Sequence, residues 1–155
     1  MTMATTMAAQ LAAAEVKRQW YAQKDADDGC AYAAAHFYEA KKLTDTDIWR
    51  KARLAMEHNR PKVARAAADI LSPAAGANIE EIISSPARFL SKRVVAAGRV
   101  AKESVLMALI RLGSTDPDMA ASVLENHWSV HLTSEQRSWA WGVIGKHAAQ
   151  RLSND

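Results

Sequence analysis

Residues 44–71 read TDTDIWRKARLAMEHNRPKVARAAADIL. Thr44 has the side chain of a helix N-cap, and Asp45 and Asp47 place negative charge in the first turn, where the helix dipole favours it. Ile48, Trp49, Ala52, Ala55 and Met56 recur at three- and four-residue spacing, which predicts an amphipathic helix to about Glu57. His58, Asn59 and Arg60 form a short turn. Pro61 then suits a first helical position, where its missing donor costs nothing. Val63, Ala67, Ile70 and Leu71 mark a second apolar stripe that stops before Pro73. Two such rods on a short turn make an antiparallel helical hairpin. A single hairpin cannot bury both stripes, so neighbours must cover it.

The same grammar runs outward in both directions. Upstream, a helix over about 8–23 carries Leu11, Ala12, Val16 and Trp20 on its apolar side. Asp25, Asp27, Asp28 and Gly29 form a turn. A second helix to about Lys42 carries Cys30, Ala33, Ala34, Phe37 and Tyr38. Downstream, residues 72–94 are the least regular part, with a short helix expected around Ile79 to Ser84 and another opened by Ser85 and Pro86 and running through Leu90. A helix over about 95–112 is apolar almost all round from Val105 to Leu112, so it should be covered on more than one side. Gly113 reads as its stop. Asp116 and Pro117 open the next helix, with Met119, Ala120, Val123 and Leu124 as its stripe. Thr133 and Gln136 fit a capping box for a last helix to about Leu152, which buries Trp139 or Trp141, Ala140, Val143, Ile144 and Ala148. Residues 46–57 with 61–71, and 95–112 with 117–127, read as hairpins. The predicted class is all-α: a right-handed α-superhelix, or α-solenoid, of stacked helical hairpins with about 7–9 helices. It is preferred to a closed four-helix bundle because there are more than four helices and their lengths differ.

Composition agrees. The chain has 155 residues, 49% hydrophobic and 24% charged, with six glycines and four prolines. Roughly a fifth of the residues are alanine, a strong helix former, which argues against an all-β fold. The whole length is read as one helical segment, with residues 1–28 either its beginning or partly foreign to it. No run approaches eighteen apolar residues, so no membrane span is expected. The single cysteine excludes an internal disulfide framework. Residues 1–10 lack the basic start and apolar run of a secretory signal, so any export signal is expected to be removed or upstream.

The net charge of +3 is unevenly spread. Residues 46–113 hold 12 basic against 6 acidic side chains, whereas both flanks are slightly negative. Arg88, Lys92, Arg93, Arg99 and Lys102 are the densest part and form the candidate contact for an anionic polymer. A solvated helix face explains the same charges.

Searches for chemistry return little. His127 and His131 are four apart, but Leu132 and Thr133 signal that their helix has ended, so no metal site is expected. Cys30 lies on an apolar stripe and reads as an inert buried thiol. Glycines 76, 98, 113, 142 and 145 stand alone, so there is no phosphate loop. No DNA-docking motif is present, and no nucleic-acid partner or cofactor is expected. Of the five tryptophans, Trp49, Trp139 and Trp141 fit core patterns, while Trp20 and Trp128 lie near helix ends and are the more open candidates for a ligand surface.

Two stretches carry a family resemblance. One runs from Cys30 through Leu71, above all Leu43 to Glu57. The other runs from Glu103 through Leu152, with Ala108 to Leu112, then Thr115-Asp116-Pro117-Asp118, then Leu132 to Trp141. In order and spacing these resemble the helical superhelix that precedes the catalytic domain of soluble lytic murein transglycosylases of Gram-negative bacteria. The resemblance covers most of the chain and rests on structural, degenerate motifs.

That resemblance implies a periplasmic parent enzyme. It would cleave peptidoglycan between N-acetylmuramic acid and N-acetylglucosamine without water, leaving a 1,6-anhydro product. One glutamate in a Glu-Ser motif acts as acid and then base, and a Gly-Leu-Met-Gln motif follows it. Here Glu103-Ser104 is such a pair, but no Gly-Leu-Met-Gln follows, and Glu103 is expected on a helix surface. The resemblance therefore implies a non-catalytic scaffold segment, inactive alone, with no catalytic residue. Its partners would be peptidoglycan, through the parent enzyme, and a lysozyme-like catalytic domain outside this segment. The alternative is a free-standing α-solenoid adaptor that binds a protein or peptide on its concave face.

Overall fold

The computed structural model describes residues 3–22 and 28–154, and every regular element among them is helical. In order they are α1 (Met3–Ala22), α2 (Asp28–Glu39), α3 (Asp45–Glu57), α4 (Pro61–Leu71), α5 (Pro73–Ser84), α6 (Pro86–Ser91), α7 (Arg99–Thr115), α8 (Pro117–Val123) and α9 (Ser134–Asn154). A wide π-type turn, Leu124–Trp128, and a 3₁₀ turn, Ser129–His131, link α8 to α9. Readings that rest on Asp25, Asp27, Val16 and the Cys30 side chain fall outside the described residues.

Successive helices pack as hairpins, α3 on α4, α4 on α5, and α7 on α8, as an all-α solenoid requires. Alanines 52, 64, 67 and 68 are buried along α3 and α4, and small side chains at a contact let helix axes approach closely. α7 departs from simple nearest-neighbour stacking, because it meets α3, α5, α6, α8 and α9. Residues Val105 to Ile110 are all buried, as their unbroken apolar run demanded.

Polar caps set the boundaries. Thr44 and Asp47 form a reciprocal capping box: the Thr44 hydroxyl accepts from the Asp47 N–H at 3.2 Å, and the Asp47 carboxylate accepts from the Thr44 N–H at 2.9 Å. Ser85 and Asp116 cap α6 and α8 ahead of their prolines. Thr133 accepts from the Gln136 N–H at 3.2 Å, and Gln136 Oε1 accepts from the Thr133 N–H at 2.9 Å. Replacing Thr133 by Ala should therefore destabilise the protein by about 1 kcal/mol in urea unfolding, with an unchanged denaturant slope.

Several boundaries differ from the sequence reading. The region after Leu71 is a full twelve-residue helix rather than a short one. Ser72 both ends α4, donating to the Ala68 carbonyl, and caps α5 by accepting from Ala75. The alanine-rich start of α5 hides this, since it shows little apolar periodicity. α7 begins at Arg99, behind Gly98, whose φ of 82° is open to glycine at little cost. Gly113 is not a stop. The helix runs through it to Thr115, and a Cβ there would stand 3.1 Å from Ile144 Cγ1, so this glycine serves the approach of α9. α2 also ends earlier than expected, at Glu39, where Lys41 takes a positive φ.

Leu11, Ala12 and Met119, expected in the core, are exposed. Leu11 faces water because α1 is held near its far end, where Trp20 is buried and Tyr21 donates to Asp47 on α3 at 3.3 Å. Met119 is exposed because α8 turns Ala120 and Leu124 inward instead.

Candidate functional site

Arg53, on the buried face of α3, reaches across to α7 and α9. Its Nε donates to Glu103 Oε2 at 2.9 Å and its Nη2 to Glu103 Oε1 at 2.5 Å. The other edge of the guanidinium donates to Glu135, from Nη1 at 2.5 Å and from Nη2 at 2.8 Å. The plane lies over the Trp139 ring, 5.0 Å from its centroid, a cation–π arrangement. Arg99 approaches Glu103 Oε1 at 3.9 Å. One cation thus ties three helices through two carboxylates, in the bidentate geometry that only arginine offers.

Glu103 is not the surface residue expected, since its side chain is only 1% exposed. It lies on the apolar helix α7, and such a position is tolerable only because Arg53 neutralises it and bonds both oxygens. Burial works against the charge on Arg53, but the hydrogen bonds to Glu135 and Glu103 outweigh it and hold the guanidinium above its ordinary value. The same guanidinium, against a smaller opposing effect of burial, holds the Glu135 carboxyl below the usual carboxylate range. Beside the cluster is an open depression of about 290 Å³ lined by Arg99, Lys102, Glu103, Thr133, Glu135 and Gln136. Both Glu103 oxygens accept from Arg53, so the arrangement fastens α7 to α3.

The basic residues singled out in sequence divide into two groups. Lys92 and Arg93 share Glu81, at 3.3 and 3.4 Å. Arg93 also donates to the Phe89 carbonyl at 3.0 Å and lies over the Phe89 ring. Arg88 is exposed on α6 and makes no ion pair among the described residues. Arg99 and Lys102 belong with the depression beside Glu103.

The two tryptophans that the sequence leaves as open ligand candidates are buried, Trp20 against α3 and Trp128 as the last residue of the π-type turn. Trp20 accepts at its carbonyl from Lys51 Nζ, and Trp128 packs edge-on to His127. Position near a helix end does not imply exposure when other helices pack against that end. Trp141 is the exposed one, and Trp139 is the partner that α9 turns inward. The His127 and His131 rings are 5.5 Å apart, and His127 Nε2 is 2.8 Å from the Val94 carbonyl. Among the described residues, no group of three or more His, Cys, Asp or Glu side chains could hold a metal ion.

The Arg53 cluster escaped the sequence reading because its members are 50 and 82 residues apart. The signal was Arg53 itself, which sits one turn after Trp49 on the buried face of α3.

Comparison with known proteins adds one relationship of fold. No protein-family model and no curated protein matches the chain. Among solved structures, it is similar to lytic transglycosylase Slt of Pseudomonas aeruginosa, an inactive mutant studied by X-ray crystallography, with 24% identity and a TM-score of 0.67. The match covers 90% of this chain and 23% of that one.

Proposed function

We propose that this chain is a non-catalytic helical scaffold segment of a soluble lytic transglycosylase that acts on peptidoglycan. The observation that carries the reading is the fold match, which takes in nearly all of this chain and under a quarter of a lytic transglycosylase. The two stretches that resemble the family's superhelix fall on α2 to α4 and on α7 to α9, and the Arg53 cluster ties α3 of the first to α7 and α9 of the second. In this role the segment holds a lysozyme-like catalytic domain and guides the polymer past it in the periplasm. Among the described residues no helix is long and apolar enough to cross a membrane. The one Glu-Ser pair is committed to an ion pair, which supports a structural part for Glu103.

Incubating the protein with murein sacculi tests the reading. No anhydro-muropeptides are expected, and their release would overturn it. The contact with polymer is tested by co-sedimentation with sacculi. Binding should be present at low salt, fall at high salt, and weaken in the variant Arg88→Gln with Lys92→Gln. Absence of binding at low salt removes the contact.

A further inference from the structure

A second cavity, of about 290 Å³, opens between α6, the 92–98 loop and the corner where α7 passes into α8. Its walls are Leu90, Leu112, Met119, Val123 and the indole of Trp128. His127 also lines it and bonds the loop in place, its Nε2 donating to the Val94 carbonyl at 2.8 Å. Pockets that take small ligands are mostly apolar, with a few polar groups that fix orientation, and this one approaches the lower end of their usual volume of about 300 Å³.

The polar edge is positive. Arg93 lines the cavity, and its guanidinium is held over the Phe89 ring. Lys92 and Arg93 have one carboxylate, Glu81, between them, at the long distances of 3.3 and 3.4 Å. Arg88, on the short helix α6 that precedes them, has no ion-pair partner among the described residues. An apolar chamber with surplus positive charge at one edge complements a molecule with an oily body and a single negative head.

We propose that this cavity binds a small amphipathic carboxylate. Its alkyl or aryl body lies between Leu112, Met119 and Trp128, and its carboxylate replaces Glu81 at Arg93 and Lys92. The proposal does not rest on the scaffold reading.

Octanoate is the probe, with 1-octanol as its neutral counterpart, and the indole N–H resonance of Trp128 is the reporter. Octanoate should shift that resonance saturably. The double variant Arg93→Gln with Lys92→Gln should weaken octanoate by about tenfold, the scale of a lost charge-assisted contact, and leave octanol unchanged. Met119→Trp, at an exposed position on the cavity wall, should block both ligands while far-ultraviolet circular dichroism stays that of the parent. No shift at Trp128 overturns the proposal. Equal affinity for octanoate and octanol, insensitive to the double variant, overturns the recognition of the head. Undiminished binding by a folded Met119→Trp protein overturns the location.

Discussion

Replacing Arg53 by methionine is expected to cost about 3–5 kcal/mol of folding stability near neutral pH, because it leaves the buried Glu103 carboxylate without its counter-charge. Arg99, 3.9 Å away and half-exposed, is too distant to take over the bidentate contact. The Trp139 face also loses the cation that lies over it. Adding Glu103→Leu to Arg53→Met should recover most of the loss, since two apolar side chains then meet where two charges had to be desolvated. Glu135 would be freed into solvent, where its side chain is already 63% exposed. Urea unfolding of the parent, the single variant and the double variant decides the matter, and a single variant as stable as the parent would refute it. The pH dependence follows from the same contact. Arg53 lowers the Glu135 pKa in the folded state. That contribution is fully present above the unfolded carboxylate pKa of about 4.3 and is lost as pH falls through the lower folded value. The Arg53→Met protein should lack this part of the acid slope.

The second large effect is expected at Trp128. It is 2% exposed and packs into the core from the end of the π-type turn, so Trp128→Ala should destabilise by about 3–5 kcal/mol through the cavity it leaves. Trp141→Ala is the matched control on the surface of α9, where 41% exposure limits the loss to about 1 kcal/mol or less. Thermal unfolding of the two variants separates the positions, and equal shifts in Tm would contradict the burial described here.

Local physics made much of the fold legible in sequence. Thr44, Ser85, Asp116 and Thr133 were readable as caps because a cap is a contact between residues three apart. The stripes of α3 and α4 were readable because each helix buries one face. The failures share a cause: they depend on what a second element does. Gly113 looks like a stop until α9 is placed against it. Trp128 looks open until it is found packed into the common core, and Leu11 looks buried until α1 is found held at its far end. Glu103 could not be read as buried without Arg53, because nothing at positions 99–107 supplies a bidentate partner. Of the basic run, the residues were legible but not their division between Glu81 and Glu103.

α7 meets five other helices, and that changes how the molecule comes apart. In an array where each layer touches only the next, ends can fray while the middle persists. A central rod shared by early and late helices forbids such unzipping beyond α1 and α2. To expose α7 the chain must release α3 on one side and α9 on the other in a single event, so the segment from Asp45 to Asn154 melts as one cooperative unit.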